Sequence, residues 1–171
     1  MNDQLLRAFV LGTLVYLTLV TPYGPLKSVS EAAIESRVTP TGEEIELEYT
    51  DESGTTHKAM IPIHRAGTIR YFSAGMGQEE REAKYPPFPL KLIFVAGPRA
   101  YTSQVAITIA DAKGEVLLQV PREQVSGPWL FVDLPAGTYD ITADRSDHPQ
   151  IKQRVEIGAG RVKTVHLRWK E

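Results

Sequence analysis

From Leu90 to Trp169 apolar residues recur at every second position in short runs, and each run stops at turn residues. The pattern is legible in Val105, Ile107 and Ile109, in Val116, Leu118 and Val120, in Tyr139 and Ile141, in Val155 and Ile157, and in Val165, Leu167 and Trp169. A period of two puts such side chains on one face of a β-strand, whereas a helix needs them three and four residues apart. Between the runs lie Gly97-Pro98, Asp111-Ala-Lys-Gly114, Ser126-Gly-Pro128, Pro135-Ala-Gly137, Asp147-His-Pro149 and Gly158-Ala-Gly160. Proline fixes φ and has no N–H for a ladder, and glycine accepts positive φ, so each of these breaks a strand. The strands predicted are 90–96, 102–110, 115–120, 128–134, 138–143, 150–157 and 161–169. Seven short strands at this spacing read as an all-β, antiparallel, Ig-like sandwich.

Leu134-Pro-Ala-Gly-Thr-Tyr139 forms a corner of that sandwich. Before it, Leu130, Val132 and Leu134 alternate with Trp129, Phe131 and Asp133. After it, a Tyr can place its ring in the core and its hydroxyl on nearby backbone. At the other boundary, Tyr85-Pro-Pro-Phe-Pro89 forbids helix and central strand, so the sandwich domain is expected over 90–171.

The segment 25–89 reads as a linker, a short helix, a β-hairpin and a Gly/Pro-rich connector. Ser28 and Glu31 have capping-box spacing ahead of 32–37, which predicts the short helix. Glu44 to Tyr49 alternates glutamates with Ile45, Leu47 and Tyr49, and Thr56 to His64 returns with Ala59, Ile61 and Ile63. Asp51-Glu-Ser-Gly54 is the turn between them, and Pro62 marks the second strand as an edge. Residues 70–77 read as a small glycine-rich piece, and 78–84 as one or two helical turns.

Ala8 to Val20 is an uncharged apolar run behind Arg7. Its length fits a signal-peptide core of roughly 7 to 15 residues and falls short of the ~20 that span a bilayer. Residues 1–24 are therefore expected to be a signal peptide or, if uncleaved, an inner-membrane anchor, with a buried core element as the alternative. Either of the first two implies a periplasmic or secreted protein that meets the membrane only through this segment.

The pattern Val105-x-Ile107-x-Ile109-x-Asp111-Ala-Lys-Gly114, then Leu134-Pro-Ala-Gly-Thr-Tyr139-x-Ile141-x-Ala143, resembles the carboxypeptidase regulatory-like, or transthyretin-like, seven-stranded sandwich module. Tyr71-Phe-Ser-Ala-Gly75-Met-Gly77 with Glu79 and Glu80, followed by Leu90-Lys-Leu-Ile-Phe94, looks like a group of small exported bacterial proteins. The resemblance implies a folding, spacing or binding domain without catalysis, and it carries no catalytic residue to this chain.

The residues themselves offer little chemistry. A formal charge of -2, from 19 basic against 21 acidic side chains, gives no net field that would hold phosphate backbones, so nucleic acid is not an expected partner. Without cysteine there are no thiolate metal sites, Cys nucleophiles or disulfides. His57, His64, His148 and His166 have no metal-ligand spacing, and Asp140, Asp144, Ser146 and Asp147 read as turn-capping groups. Gly75-Met-Gly77 lacks the rest of a phosphate loop, Ser73 lies in no nucleophile elbow, and Glu43-Glu44 and Glu79-Glu80 read as solvated pairs. Tyr71, Phe72, Tyr85, Phe88 and Tyr101 crowd the joint between the two halves. They either cement it or, where exposed, form an interaction surface. The expected function is a non-enzymatic cell-envelope module with a protein partner and no cofactor. The alternative is a small-ligand or metal-binding periplasmic protein using the histidines and the acidic loop.

Overall fold

The computed structural model of the protein describes residues 34–170 apart from 52 and 147. The export-like run and the Ser28–Glu31 capping box lie outside the described residues. Within them, the fold is all-β, and its three sheets are stacked as layers.

The first sheet holds β1 (Glu35–Val38), β2 (Glu44–Thr50) and β3 (Thr56–Pro62) in that order, all antiparallel. The predicted hairpin is β2–β3, with Glu44 opposite Pro62 and Thr50 opposite Thr56. Asp51 closes its turn by accepting hydrogen bonds from the Ser53 and Thr55 amides, and Gly54 takes the left-handed conformation at φ 84°. The helix expected over 32–37 is not formed in the part described, because Glu35–Val38 instead pairs along Ile45–Glu48. An apolar face against a partner sheet outweighs the weak local preference of a short capping-box sequence.

The second sheet runs β13 (Lys163–Trp169), β6 (Leu90–Ala96), β10 (Trp129–Val132), β5 (Ile69–Ala74) and β4 (His64–Ala66), and β7 (Ala100–Tyr101) pairs the end of β6. The boundary expected at Pro89 falls inside this sheet, since β4 and β5 precede the prolines while β6, β10 and β13 follow them. β13 lies parallel to β6, and the other pairs of the sheet are antiparallel. The third sheet runs β12 (Ile151–Ile157), β11 (Gly137–Asp144), β8 (Ala106–Asp111) and β9 (Val116–Val120). Each of the seven strands expected after Leu90 is present. The second begins late, because Gln104 has φ 58° and gives its amide to the Val125 carbonyl instead of to a ladder. The helical turns expected after Gly77 form as α1 (Gln78–Glu82).

The main core fills the space between the second and third sheets, with Leu92, Phe94, Leu130 and Val132 on one side and Ile107, Ile109, Ile141 and Val155 on the other. Tyr139 takes the corner position: its ring is buried and its hydroxyl donates to the Pro135 carbonyl at 2.8 Å. Val116, expected inside, is half exposed. Ile109 pairs Leu118 while Ala110 pairs Val116, so Leu117 is an extra residue in a bulge; Leu117 packs on the core and Val116 turns outward.

Candidate functional site

A second apolar cluster lies on the opposite face of the middle sheet, beneath the β1–β2–β3 sheet and the connector. β5 and β10 are flanked by strands on both sides and covered on both faces, so successive residues go to different cores. Tyr71, Leu130 and Val132 enter the main core, while Phe72, Ala74, Trp129 and Phe131 enter the second with Ile45, Ile61, Ile63 and Phe88. The rings interlock. Phe72 stacks on Phe131 at 4.5 Å between centroids, meets Phe88 edge-on at 4.9 Å and touches Tyr85 at 5.4 Å.

Lys91 also faces this cluster, its Nζ 3.5 Å from the Trp129 ring centroid and 5.1 Å from that of Phe131. Burial holds its amine below the usual lysine range, and the ring faces are its cation partners. Burial pushes the Tyr85 phenol up, with the Glu80 charge adding to it, and its hydroxyl donates to the Glu80 carbonyl. The Trp129 indole N–H is buried with no hydrogen-bond partner among the described residues.

The five aromatics singled out in the sequence do not make one exposed surface. Phe72, Phe88 and the partly buried Tyr85 join the second cluster. Tyr71 lies on the other face of β5, buried, with its hydroxyl donating to Gln124 Oε1 at 2.6 Å and its ring stacked on His64. Tyr101 on β7 stands apart and is 55% exposed. Of the five, Tyr101 is the exposed ring, and the others are held by contacts within the molecule.

The remaining polar candidates are engaged locally. Glu80 reaches back from α1 so that one carboxylate oxygen accepts the Gly75 and Met76 amides at 2.7 and 3.0 Å, and Arg81 donates to the Gly75 and Met76 carbonyls. The glycine loop that could cradle an anion is therefore closed on a carboxylate of its own chain. Ser73 is buried between β5 and the 127–129 segment, where its Oγ accepts the Gly127 amide at 2.9 Å and donates to the Trp129 carbonyl at 3.1 Å. Asp140 takes both guanidinium arms of Arg154, which lower its carboxyl below the usual range, and Asp144 is held by Arg122 and Gln150. Among the described residues no three His, Asp or Glu side chains converge to hold a metal ion. Nor is any helix there long and apolar enough to cross a membrane.

Among the described residues the sheets end in open strand edges, most of them not marked in the sequence. β13 and β12 end the second and third sheets on one side of the sandwich, β9 ends the third sheet on the other, and β3 ends the first. Apolar residues stand exposed on or beside three of them: Met60 on β3, Val116 on β9 and Val162 ahead of β13. Edge position was signalled only at β3, by Pro62.

The fold and these surfaces define an all-β sandwich protein with a packed aromatic seam and, among the described residues, unpaired edges. No protein-family model and no curated protein sequence matches the chain. Among solved structures it is similar to a crystal structure of BcpA, the major pilin subunit of Bacillus cereus, at 11% identity and a TM-score of 0.37. That likeness covers 78% of this chain and 40% of the pilin, so the chain spans well under half of the pilin's length.

Proposed function

We propose that the protein is a non-enzymatic, exported module of the cell envelope that serves protein interaction or scaffolding through its strand edges. The observation that carries this reading is the combination of strand edges unpaired among the described residues with exposed apolar residues on or beside them, at Met60, Val116 and Val162. An unpaired edge offers N–H and C=O groups to an incoming strand, and neighbouring side chains supply selectivity. Export rests on the apolar run Ala8 to Val20, and a transthyretin-like relationship rests on two turns. In one, Asp111 accepts the amides of Lys113 and Glu115, on either side of Gly114; in the other, the Tyr139 hydroxyl donates to the Pro135 carbonyl.

The test is site-specific photo-cross-linking of the full chain in the cell that makes it, with the reactive side chain placed at Met60, Val116 or Val162 and, as a buried control, at Phe88. A discrete protein adduct from one edge and none from the control is expected. No adduct from any edge would sink the reading.

A further inference from the structure

We propose that the partner is a second copy of this chain, whose acidic β1–β2–β3 sheet docks against the basic edge formed by β12 and β13. This deepens the interaction reading above and rests on it. Along β2, Ile45 and Leu47 are buried, which leaves Glu44, Glu46 and Glu48 on the opposite face at intervals of about 7 Å. Arg37 and Lys58 both bind Glu46, and Lys58 also reaches Glu48. Glu35, Glu43 and Glu44 have no ion-pair partner among the described residues.

The charges on the last two strands are of the other sign. Lys152, Arg161, Lys163 and Lys170 are exposed, and none has a carboxylate within ion-pair distance among the described residues. Glu156 is the one acid from 150 to 170. The edge is also unpaired. Lys163 gives its amide to Pro89 and Trp169 accepts from Gly97, so in this parallel ladder the alternate residues Thr164, His166 and Arg168 turn their backbone groups away from β6. Among the described residues no strand is hydrogen-bonded to β13 on that side.

Among the described residues no ion pair joins the two surfaces within one protomer. The first sheet packs over β5 and β10, and β13 is three strands from β5, or about 14 Å at ordinary strand spacing. Complementary patches at different places on one molecule meet head to tail between copies, and such a contact extends into a chain of protomers unless its rotation closes a ring. The small net charge of -2 leaves little general repulsion to oppose it.

Sedimentation of the full chain tests this at low ionic strength and at ~0.5 M salt, where charges more than a few ångströms apart are screened. Concentration-dependent association is expected at low salt, with Kd at least tenfold weaker at high salt. Glu44→Lys with Glu48→Lys, and separately Lys163→Glu with Lys170→Glu, should each be monomeric with an unchanged Tm. An equimolar mixture of the two should associate again, because each keeps one intact surface. A monomer at all concentrations and salts, or association indifferent to both charge reversals, would overturn the proposal. A monomer that still gives a discrete cross-link to a different envelope protein from Val162 overturns self-docking and leaves the interaction reading standing. A monomer that cross-links nowhere overturns both.

Discussion

Ser73 and Gly127 show how a single contact joins the two sides of the proline-rich connector. The Ser73 hydroxyl is buried and bridges the Gly127 amide and the Trp129 carbonyl, which it can do only because the Gly127 backbone lies directly against β5. A Cβ at Gly127 would overlap the Ala74 carbonyl, and backbone in the centre of a sheet has nowhere to go. Gly127→Ala is therefore expected to cost roughly 1–3 kcal/mol or more through overpacking. Gly158→Ala, with nothing within 4 Å of the new methyl, should stay within about 0.5 kcal/mol of the parent. Urea unfolding of the two variants checks the contrast, and equal losses would show that the close approach at Gly127 is not constraining.

Among the elements, the β2–β3 hairpin depends on one carboxylate. Asp51 takes hydrogen bonds from the Ser53 hydroxyl, the His57 ring and the Thr55 and Ser53 amides, which together hold its carboxyl well below the ordinary range. A carboxyl depressed on folding binds fewer protons in the native state than in the unfolded chain. Its stabilisation is thus complete above the unfolded value of about 3.9 and is lost as the pH falls toward the lower folded value. Asp51→Asn should lower stability at neutral pH and flatten the acid limb of the Tm-against-pH curve below about pH 4. An acid limb identical to that of the parent would show that the turn carboxylate is not coupled to folding. The edge strand β9 shows what one extra residue does: the bulge at Leu117 turns Val116 out, and an intended core position becomes exposed surface on an open edge.

In the whole molecule the middle sheet is the shared wall of two cores, and it draws its strands from both sides of Tyr85–Pro89. A fragment starting at Leu90 loses β5 and β4, leaves β10 as an open edge, and strips Phe131 and Trp129 of Phe72, Phe88 and Tyr85. Burying each large aromatic is worth about 1.5–3 kcal/mol, comparable with the margin by which small domains are stable. The fragment 90–171 is expected to give a poorly dispersed amide spectrum and to aggregate, while 34–171 gives a dispersed one. A well-dispersed spectrum from the shorter piece would establish the sandwich as an autonomous domain bounded by the prolines.

The alternation of Val105 to Ile109, Tyr139 to Ala143 and Val165 to Trp169 was enough to establish strands, their inward faces and the all-β class, because a strand with one wet face must write its period of two into the residues. The Asp51–Gly54 and Asp111–Gly114 turns and the Tyr139 corner were equally legible, since each is built from contacts between residues close in the chain. Ile69–Ala74 was not: a strand buried on both faces carries no regular apolar–polar alternation, so Ile-Arg-Tyr-Phe-Ser-Ala reads as an irregular piece until its neighbours are known. The fate of Tyr71, Phe72, Tyr85, Phe88 and Tyr101 was likewise undecided, because a ring that packs and a ring that stays exposed look alike in sequence. Only the tertiary structure separated them, through long-range pairing that set β5 against β10 and laid the first sheet over both, leaving the strand edges as open surface.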